Sequence, residues 1–315
     1  MQHHYNFSGL TLAQPSMVTI GVFDGIHRGH QHLIRDVVEH AHSEGCLAVV
    51  ITFFPHPDAV LRGITGRYYL TTPQQRADLM GELGVDHVIT LPFDDDFRHI
   101  PAADFVDLLI KHLNVRALTV GSDFALGYKR EGNVEFLREQ GAQKGFALHV
   151  VDMVRGNGGT DSDKISSMHI REALTEGRVE QARHWLGRAY SVTGEVVAGE
   201  QRGRKIGFPT ANVDVWNELV IPANGVYAGW ALLEGERLMA VTNVGYRPTF
   251  NGQGITVEVH ILDFNRDIYG HQLTFTFESR LRPEMKFNGI QELIAQIALD
   301  SQAARDYLTA ESSGA

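Results

Sequence analysis

The sequence carries one cysteine in 315 residues, Cys46. That excludes an intrachain disulfide and any zinc cluster built on cysteines. Its neighbours Leu47-Ala48-Val49-Val50-Ile51 make it read as a small buried hydrophobe. No run approaches the roughly 18 apolar residues of a membrane span. No basic segment leads into an apolar core near the N-terminus, so a secretory leader is not expected, and His3-His4 is too short for a purification tag. The phosphate-binding pattern Gly-x4-Gly-Lys-Ser/Thr is missing, so a P-loop is not the means of holding a nucleotide. Basic charge is scarce. The 28 Lys and Arg stand against 38 Asp and Glu, a formal net charge of −10 that opposes non-specific attraction to nucleic acid. Phosphates must then be met by helix N-termini and a few placed basic side chains. Repeats and low-complexity segments are missing as well. These absences predict a protein of the reducing cytoplasm that binds neither nucleic acid nor membrane; a monomer or weak homo-oligomer with small-molecule substrates is the accompanying expectation.

What remains is ordinary globular material, 43% hydrophobic and 21% charged, long enough for two domains. In the first half, Val18–Phe23, Leu47–Phe53, His87–Leu91, Ala117–Gly121 and Phe146–Asp152 read as buried strands. Gln31–Glu44, Pro73–Leu83, Pro101–Leu113 and Asn133–Lys144 between them carry helical spacing, and Ser167–Glu176 and Val179–Leu186 follow as two more helices. Such alternation predicts an α/β fold with a parallel, Rossmann-like sheet and helices on both faces. After Gly187 the pattern changes. Strand-like runs are separated by Asn224-Gly225, Glu234-Gly235 and Asn251-Gly252. Val257, Val259 and Ile261 alternate with Thr256, Glu258 and His260, and Leu273, Phe275 and Phe277 repeat the scheme. This predicts a small antiparallel β-barrel with a closing helix near Ile290–Leu308, whose Leu293, Ile294 and Ile297 share a face. The expected division is 1–187 and 188–315.

The first candidate site is Gly21-Val22-Phe23-Asp24-Gly25-Ile26-His27-Arg28-Gly29-His30, at a strand-to-helix turn where parallel sheets bind ligands. Gly25 and Gly29 allow close approach of a phosphate, the helix N-terminus supplies unpaired N–H groups, and His27 and His30 share one side. Phe54-Pro55-His56-Pro57 ends the second strand, and Gly121-Ser122-Asp123-Phe124-Ala125-Leu126-Gly127 ends the fourth. Ile165-Ser166-Ser167-Met168-His169-Ile170-Arg171 opens a helix, with Ser166 or Ser167 readable as a plain N-cap or as a phosphate ligand. His40, His42, His87 and His112 carry no motif and read as surface or core residues.

The second site is Arg202-Gly203-Arg204-Lys205-Ile206-Gly207-Phe208-Pro209-Thr210-Ala211-Asn212. Thr210 and Asn212, two apart in an extended segment, point the same way and offer neutral oxygens of the kind Mg²⁺ accepts beside nucleotide phosphates. Gly203, Arg204, Lys205 and Gly207 suit a phosphate-covering loop. Glu258 lies on the polar face of its strand, and Leu281-Arg282-Pro283-Glu284-Met285-Lys286-Phe287 precedes the closing helix.

From about Val18 to Asp300 these motifs, in this order, resemble the bacterial bifunctional riboflavin kinase/FAD synthetases. The N-terminal part is similar to nucleotidyltransferases that carry His-x-Gly-His. The resemblance implies two reactions: riboflavin and ATP give FMN, then FMN and ATP give FAD and pyrophosphate. It implies catalytic Glu258 as the base for the riboflavin hydroxyl, and His27, His30 and Arg171 as holders of charge at the adenylyl site. Gly21, Phe23, Asp24, Gly25, Gly29, Ser166 and Ser167, and Gly203, Arg204, Lys205 and Gly207, are implied at the two ATP sites. Thr210 and Asn212 are implied as ligands of the Mg²⁺ that accompanies ATP. Phe54, Pro55, His56, Pro57, Asp123 and Phe124 are implied flavin contacts, as are Arg282 and Phe287, which could instead cover the barrel end. Three rivals remain: a riboflavin kinase with a weak adenylyl domain, a class I aminoacyl-tRNA synthetase, and a non-catalytic flavin-binding regulator. The synthetase reading lacks Lys-Met-Ser-Lys-Ser and leaves the barrel motif unexplained.

Met168 stands where the resembled family has threonine. Met168→Thr is expected to lower the KM for ATP in FAD formation by restoring a hydroxyl beside Ser167. Steady-state kinetics of FMN adenylylation check this, and an unchanged or raised KM would make Met168 a packing residue.

Overall fold

The apolar runs of the first half pair with one another in parallel, since strands hydrophobic on both faces need cover on both. The computed structural model describes residues 1–151, 165–199, 202–249 and 252–313. Two compact units emerge, Met1–Ser167 and Met168–Ala315. Asp152, at the end of the fifth expected strand, and Asn251 of the third expected turn lie outside the described residues.

Unit 1 is a six-stranded sheet of β1 (Gln2–His4), β2 (Ser16–Ile20), β3 (Leu47–Phe54), β4 (His87–Pro92), β5 (Val115–Gly121) and β6 (Ala147–Val151). The order is β1-β4-β3-β2-β5-β6, and every pairing is parallel. Its helices are α1 (Arg28–Ser43), α2 (Pro57–Arg62), α3 (Pro73–Glu82), α4 (Ala102–Leu113) and α5 (Val134–Lys144). Ile34, Val37 and Ala41 of α1 and Ala77 and Met80 of α3 pack on one face of the sheet. Phe105, Val106 and Leu109 of α4 and Leu137 of α5 pack on the other. Thr72 starts α3 with a reciprocal capping box to Gln75, followed by Pro73. Two elements escaped the pattern. β1 has three residues, too few for a period, and α2 is a six-residue turn of helix. The first expected strand stops at Ile20 rather than Phe23, because Phe23 adopts φ 51° and the chain turns there.

Unit 2 holds α6 (Ser167–Thr175), whose first residue is the last of unit 1, and α7 (Val179–Leu186). The strands are β7 (Tyr190–Val197), β8 (Ala211–Val215), β9 (Gly225–Leu233), β10 (Glu236–Thr249), β11 (Gly252–Ile261) and β12 (Gln272–Arg282), with a short α8 (Arg202–Lys205) and a closing α9 (Ile290–Ser313). The strands close into an antiparallel barrel in the order β10-β11-β8-β7-β12-β9, with β9 pairing back onto β10. The alternating residues Val257, Val259, Ile261, Leu273, Phe275 and Phe277 are buried, as their period of two requires. Helix α9 covers the outer face of β9 and β10, where Ala304 meets Val226, Ala228 and Val241. Leu293, Ile294 and Ile297, the expected inner face of α9, are half-buried, and the deep contacts come further along at Asp300, Ala304 and Leu308. Arg282 grips Asp300 through Nε (3.0 and 3.1 Å) and Nη2 (2.8 Å), fixing that turn of the helix on the barrel.

Helix α7 buries Val179, Ala182 and Leu186, Arg183 Nη1 lies 2.9 Å from Glu278 Oε2 on β12, and Ser279 Oγ donates to Glu180 (2.7 Å). A fragment of residues 168–315 is therefore expected to unfold in one cooperative transition, and a 188–315 fragment to unfold at lower temperature for want of α7. Thermal melts of the two fragments test this, and equal midpoints would mean that α7 adds nothing to the barrel.

Candidate active sites

In unit 1 the chain passes from β2 to β3 on one side, while β5 lies on the other side of β2. Connections thus leave the ends of β2 and β5 in opposite directions, the arrangement that opens a ligand crevice in such sheets. The segments after β2, β3 and β5 are the ones singled out in the sequence.

The turn after β2 is tightly held. Phe23 (φ 51°) and Ile26 (φ 41°) both take the left-handed conformation, each costing on the order of 1 kcal/mol or more. Gly21 is required there, because a Cβ would stand 2.8 Å from the Phe23 ring. Asp24 is 1% exposed, and its carboxylate accepts from the backbone N–H of Leu70 (3.0 and 3.1 Å) and Thr71 (3.2 Å). The fully buried Arg76 places Nη2 3.5 Å from Asp24, while its Nη1 donates to Val22 O, Phe53 O and Thr52 Oγ1, each at 3.1 Å. One guanidinium thereby ties the loop after β2 to the end of β3. Ser167 Oγ donates to Asp24 O (2.8 Å), which brings the Ile-Ser-Ser segment to the same turn. Sequence reasoning missed Arg76 and Thr71. The available signal was a charged residue at helical spacing from Ala77 and Met80, on a face that had to be buried.

His27 caps α1, its Nδ1 accepting from the His30 backbone N–H (3.3 Å). An accepting Nδ1 leaves the neutral ring's proton on Nε2. The His30 ring stacks on it with centroids 3.5 Å apart. Burial, then the nearby His27 and Arg76, hold the His30 pKa well below the ordinary value. His30 Nδ1 is buried without a hydrogen-bond partner among the described residues. The expectation that His30 holds charge is thus altered by its surroundings: at neutral pH it is a neutral dipole awaiting a partner. Gly25 N donates to Thr71 Oγ1 (3.2 Å), and Gly29 is half-buried in the first turn of α1.

After β3, Phe54–Pro55 is cis, and the Phe54 ring lies 5.5 Å from that of Tyr69. His56 is 7% exposed and starts α2 at Pro57: its Nδ1 accepts from Asp58 N (3.0 Å), and its own N donates to Tyr69 Oη (2.9 Å). After β5, Phe124 packs half-buried on the sheet core, Asp123 is exposed, and Arg130 Nη2 donates to Asp123 O (3.0 Å). In α6, Met168 is 67% exposed, and Arg171 is half-buried, as is Ser166 just before it.

In unit 2, antiparallel register pairs Asn212 of β8 directly with Glu258 of β11. Residues directly opposite point to the same face, so both side chains lie on the outside of the barrel. A Cβ on Gly199 would overlap the Asn212 amide, and one on Gly203 would stand 3.4 Å from Thr210 Oγ1, so this glycine-rich stretch lies close over both oxygen donors. His260 Nδ1 donates to Pro209 O (2.8 Å), fixing the entry to β8. A cavity of about 400 Å³ opens alongside, lined by Arg204, Thr210, Val259, Arg266 and Tyr269 among others. Gly207 takes φ 90°. Lys205 lies in α8, and its side chain is outside the described residues. Among the described residues no three His, Cys, Asp or Glu side chains form a metal cage. Two neutral oxygens beside one carboxylate suit a cation that keeps most of its shell for phosphate and water. Arg282 directs its guanidinium to Asp300, and Phe287 lies 5.9 Å from it.

Because His30 resists protonation when folded, the unfolded chain takes up a proton there that the native state does not. Stability must fall as pH drops below about 6.5. His30→Asn is expected to lose that dependence, so its melting temperature relative to the parent should rise between pH 7 and pH 5. Parallel melting curves for the two proteins would show that His30 protonates freely.

The family model for riboflavin kinase matches residues 186–308, and that for FAD synthetase matches residues 11–169. A bifunctional riboflavin kinase/FMN adenylyltransferase of Listeria monocytogenes is 39% identical over 293 residues, covering 92% of each chain. The protein of the same description from Escherichia coli K12 is 38% identical with 92% of each chain covered, and that from Bacillus subtilis 36% identical with 93%. A crystal structure described as a macrolide-efflux protein from Streptococcus pneumoniae superimposes with a TM-score of 0.85 at 30% identity, over 96% of this chain and 98% of that one. In the present protein no helix among the described residues is long and apolar enough to cross a membrane. With both catalytic modules matched in the same order and over nearly the whole length, the chain belongs to the family of bifunctional riboflavin kinase/FMN adenylyltransferases.

Proposed function

We propose that the two activities of this family are laid out in chain order, FMN adenylylation over residues 1–187 and riboflavin phosphorylation over 188–315. The overall reaction is riboflavin to FMN and then to FAD, each step consuming ATP. The observation that carries the kinase assignment is the Asn212–Glu258 pairing on the outer barrel face, two residues along the chain from Thr210, which lines the 400 Å³ cavity. ATP enters that cavity with its phosphates under Gly203, Arg204, Lys205 and Gly207. Glu258 accepts the proton of the riboflavin 5′-hydroxyl as its oxygen attacks the γ-phosphorus. Thr210 and Asn212 would hold Mg²⁺, which when bound with ATP supplies charge neutralisation for phosphoryl transfer. Arg282 and Phe287 border the flavin end.

At the other site the FMN phosphate attacks the α-phosphorus, and pyrophosphate leaves. That phosphate, with a second pKa near ~6, is already ionised at neutral pH, so no general base is required. The groups there orient and stabilise instead. His27 and His30 donate from neutral rings, the N-terminus of α1 contributes N–H groups with Gly25 and Gly29 close by, and Ser166, Ser167 and Arg171 meet phosphate oxygens. Gly21, Phe23 and Asp24 keep the turn in shape. Phe54, Pro55, His56, Pro57, Asp123 and Phe124 line the flavin side. The net charge of −10 supports small-molecule substrates rather than nucleic acid and a monomer or weak homo-oligomer, and the lone cysteine suits a reducing, cytoplasmic setting.

Incubation with riboflavin, Mg·ATP and chromatography of the flavins is expected to give FMN first and FAD after it. Glu258→Gln is expected to abolish FMN formation, by at least a hundredfold, while supplied FMN is still converted to FAD. FMN made at the parental rate by this variant would remove Glu258 from the mechanism.

A further inference from the structure

The register that pairs Asn212 with Glu258 continues across the barrel. Glu258 has a second direct partner, Asn243 of β10, and Asn243 in turn lies opposite Val226 of β9. Asn212, Glu258 and Asn243 therefore stand in one row on the outer face, each about 5 Å from the next. Residues flanking Asn243 on its own strand, Thr242 and Val244, are fully buried and face inward. Beyond it on the same face is Gly245, whose missing side chain makes room for the Glu284 carboxylate: a Cβ there would stand 2.6 Å from Glu284 Oε1 and 3.3 Å from Asn243 Nδ2. Asn224 Nδ2 holds the other oxygen of Glu284 (3.1 Å). The Asn243 side chain is half-buried, and its amide makes no hydrogen bond among the described residues.

In-line phosphoryl transfer assigns the two sides of Glu258 different work. The leaving oxygen and the attacking oxygen lie on opposite sides of the phosphorus. Thr210, Arg204 and the cavity occupy the β8 side of the row, so the alcohol comes from the β10 side, over Asn243. The substrate there is a polyol whose secondary hydroxyls follow the reacting one at successive carbons. A hydroxyl both donates and accepts, and a carboxamide is the neutral side chain that answers both. A half-buried polar group with no partner among the described residues is one that a ligand can satisfy.

We propose that Asn243 reads the ribityl chain of riboflavin, hydrogen-bonding a secondary hydroxyl and so aiming the 5′-hydroxyl at Glu258. Asn243 is then a positioning and specificity residue on the alcohol side, complementary to Asn212 on the nucleotide side. The inference rests on the reading of Glu258 as the kinase base.

The test compares riboflavin with its 3′-deoxy and 4′-deoxy analogues as phosphoryl acceptors in the full chain. The parent is expected to prefer riboflavin over one of the two by at least tenfold in kcat/KM, since a site built to bond a hydroxyl rejects the analogue lacking it. Asn243→Ala should lower kcat/KM for riboflavin by a similar factor, leave that analogue unchanged and leave the KM for ATP unchanged. The preference then collapses. Asn243→Ser, with a shorter hydroxyl, should fall between. A parental thermal transition and parental conversion of FMN to FAD establish that each variant is folded, and if the alanine variant is not, the serine variant alone decides by its loss of preference. A preference retained in a folded variant overturns the inference. Glu258→Gln assayed alongside separates the two failures: if it still makes FMN, the site reading falls, whereas if it is dead and Asn243→Ala behaves as the parent, only the role of Asn243 falls.

Discussion

A guanidinium with no exposure to solvent must find partners for its donors inside the protein, and Arg76 finds them in the parts of unit 1 that have to be held together. Its bonds reach Val22, Thr52 and Phe53, and its charge faces Asp24. Removing one member of a buried pair leaves an uncompensated charge, at a cost of roughly 3–5 kcal/mol. That scale is comparable with the strain at Phe23 and Ile26, about 1–3 kcal/mol each, so the pair offsets much of what holding both residues in that conformation costs. The strained turn puts His27 at the start of α1, and the His27 cap puts His30 over it. The adenylyl site is thus a chain of consequences that begins one layer below the residues that would touch ATP.

The barrel solves a similar problem by different means. Among the described residues of the barrel strands no charged side chain is fully buried, and Glu258 is placed by other means. Its orientation follows from the period of two along β11, with Val257 and Val259 packed inward and Glu258 directed out. A one-residue slip of β11 would turn Glu258 into the apolar interior, and the burial of both valines opposes that slip. The outward direction of the proposed base and the packing of the core are enforced by the same alternation. Arg282 sits opposite Val226 in the same row and pins Asp300, so the closing helix is fastened to the level of the barrel that carries the chemistry.

How much of this was legible in the sequence depended on the range of the interaction. Local period and turn chemistry revealed the strands, the helices and the glycine-rich turns, and the order of the motifs revealed the pairing of two activities. Long-range partners stayed hidden. Asp24 was visible as part of a motif, but its carboxylate is engaged by Leu70 and Thr71, 46 and 47 residues away. Asn243 looked like any polar residue of a strand until register set it beside Glu258. His30 was readable as a phosphate donor, whereas its neutrality depends on burial against His27 and Arg76, which spacing alone does not reveal. The face of α9 was legible, since Asp300, Ala304 and Leu308 continue the stripe of Leu293 and Ile297 at spacings of three and four, whereas the ion pair to Arg282 was hidden.

The closed barrel leaves unit 2 without an unpaired strand, whereas the sheet of unit 1 ends in β1 and β6. An open edge is a template for another copy's backbone, and proteins keep such edges short or polar. β1 offers only three residues, with His3 and His4 engaged by Thr90 and His87. β6 offers five, of which Ala147, His149 and Val150 are exposed. Among the described residues, the seam long enough for self-association by strand addition is β6, on the unit that the FAD synthetase family model matches. Aggregation during heating or storage should begin there and silence adenylylation while the kinase barrel is still intact.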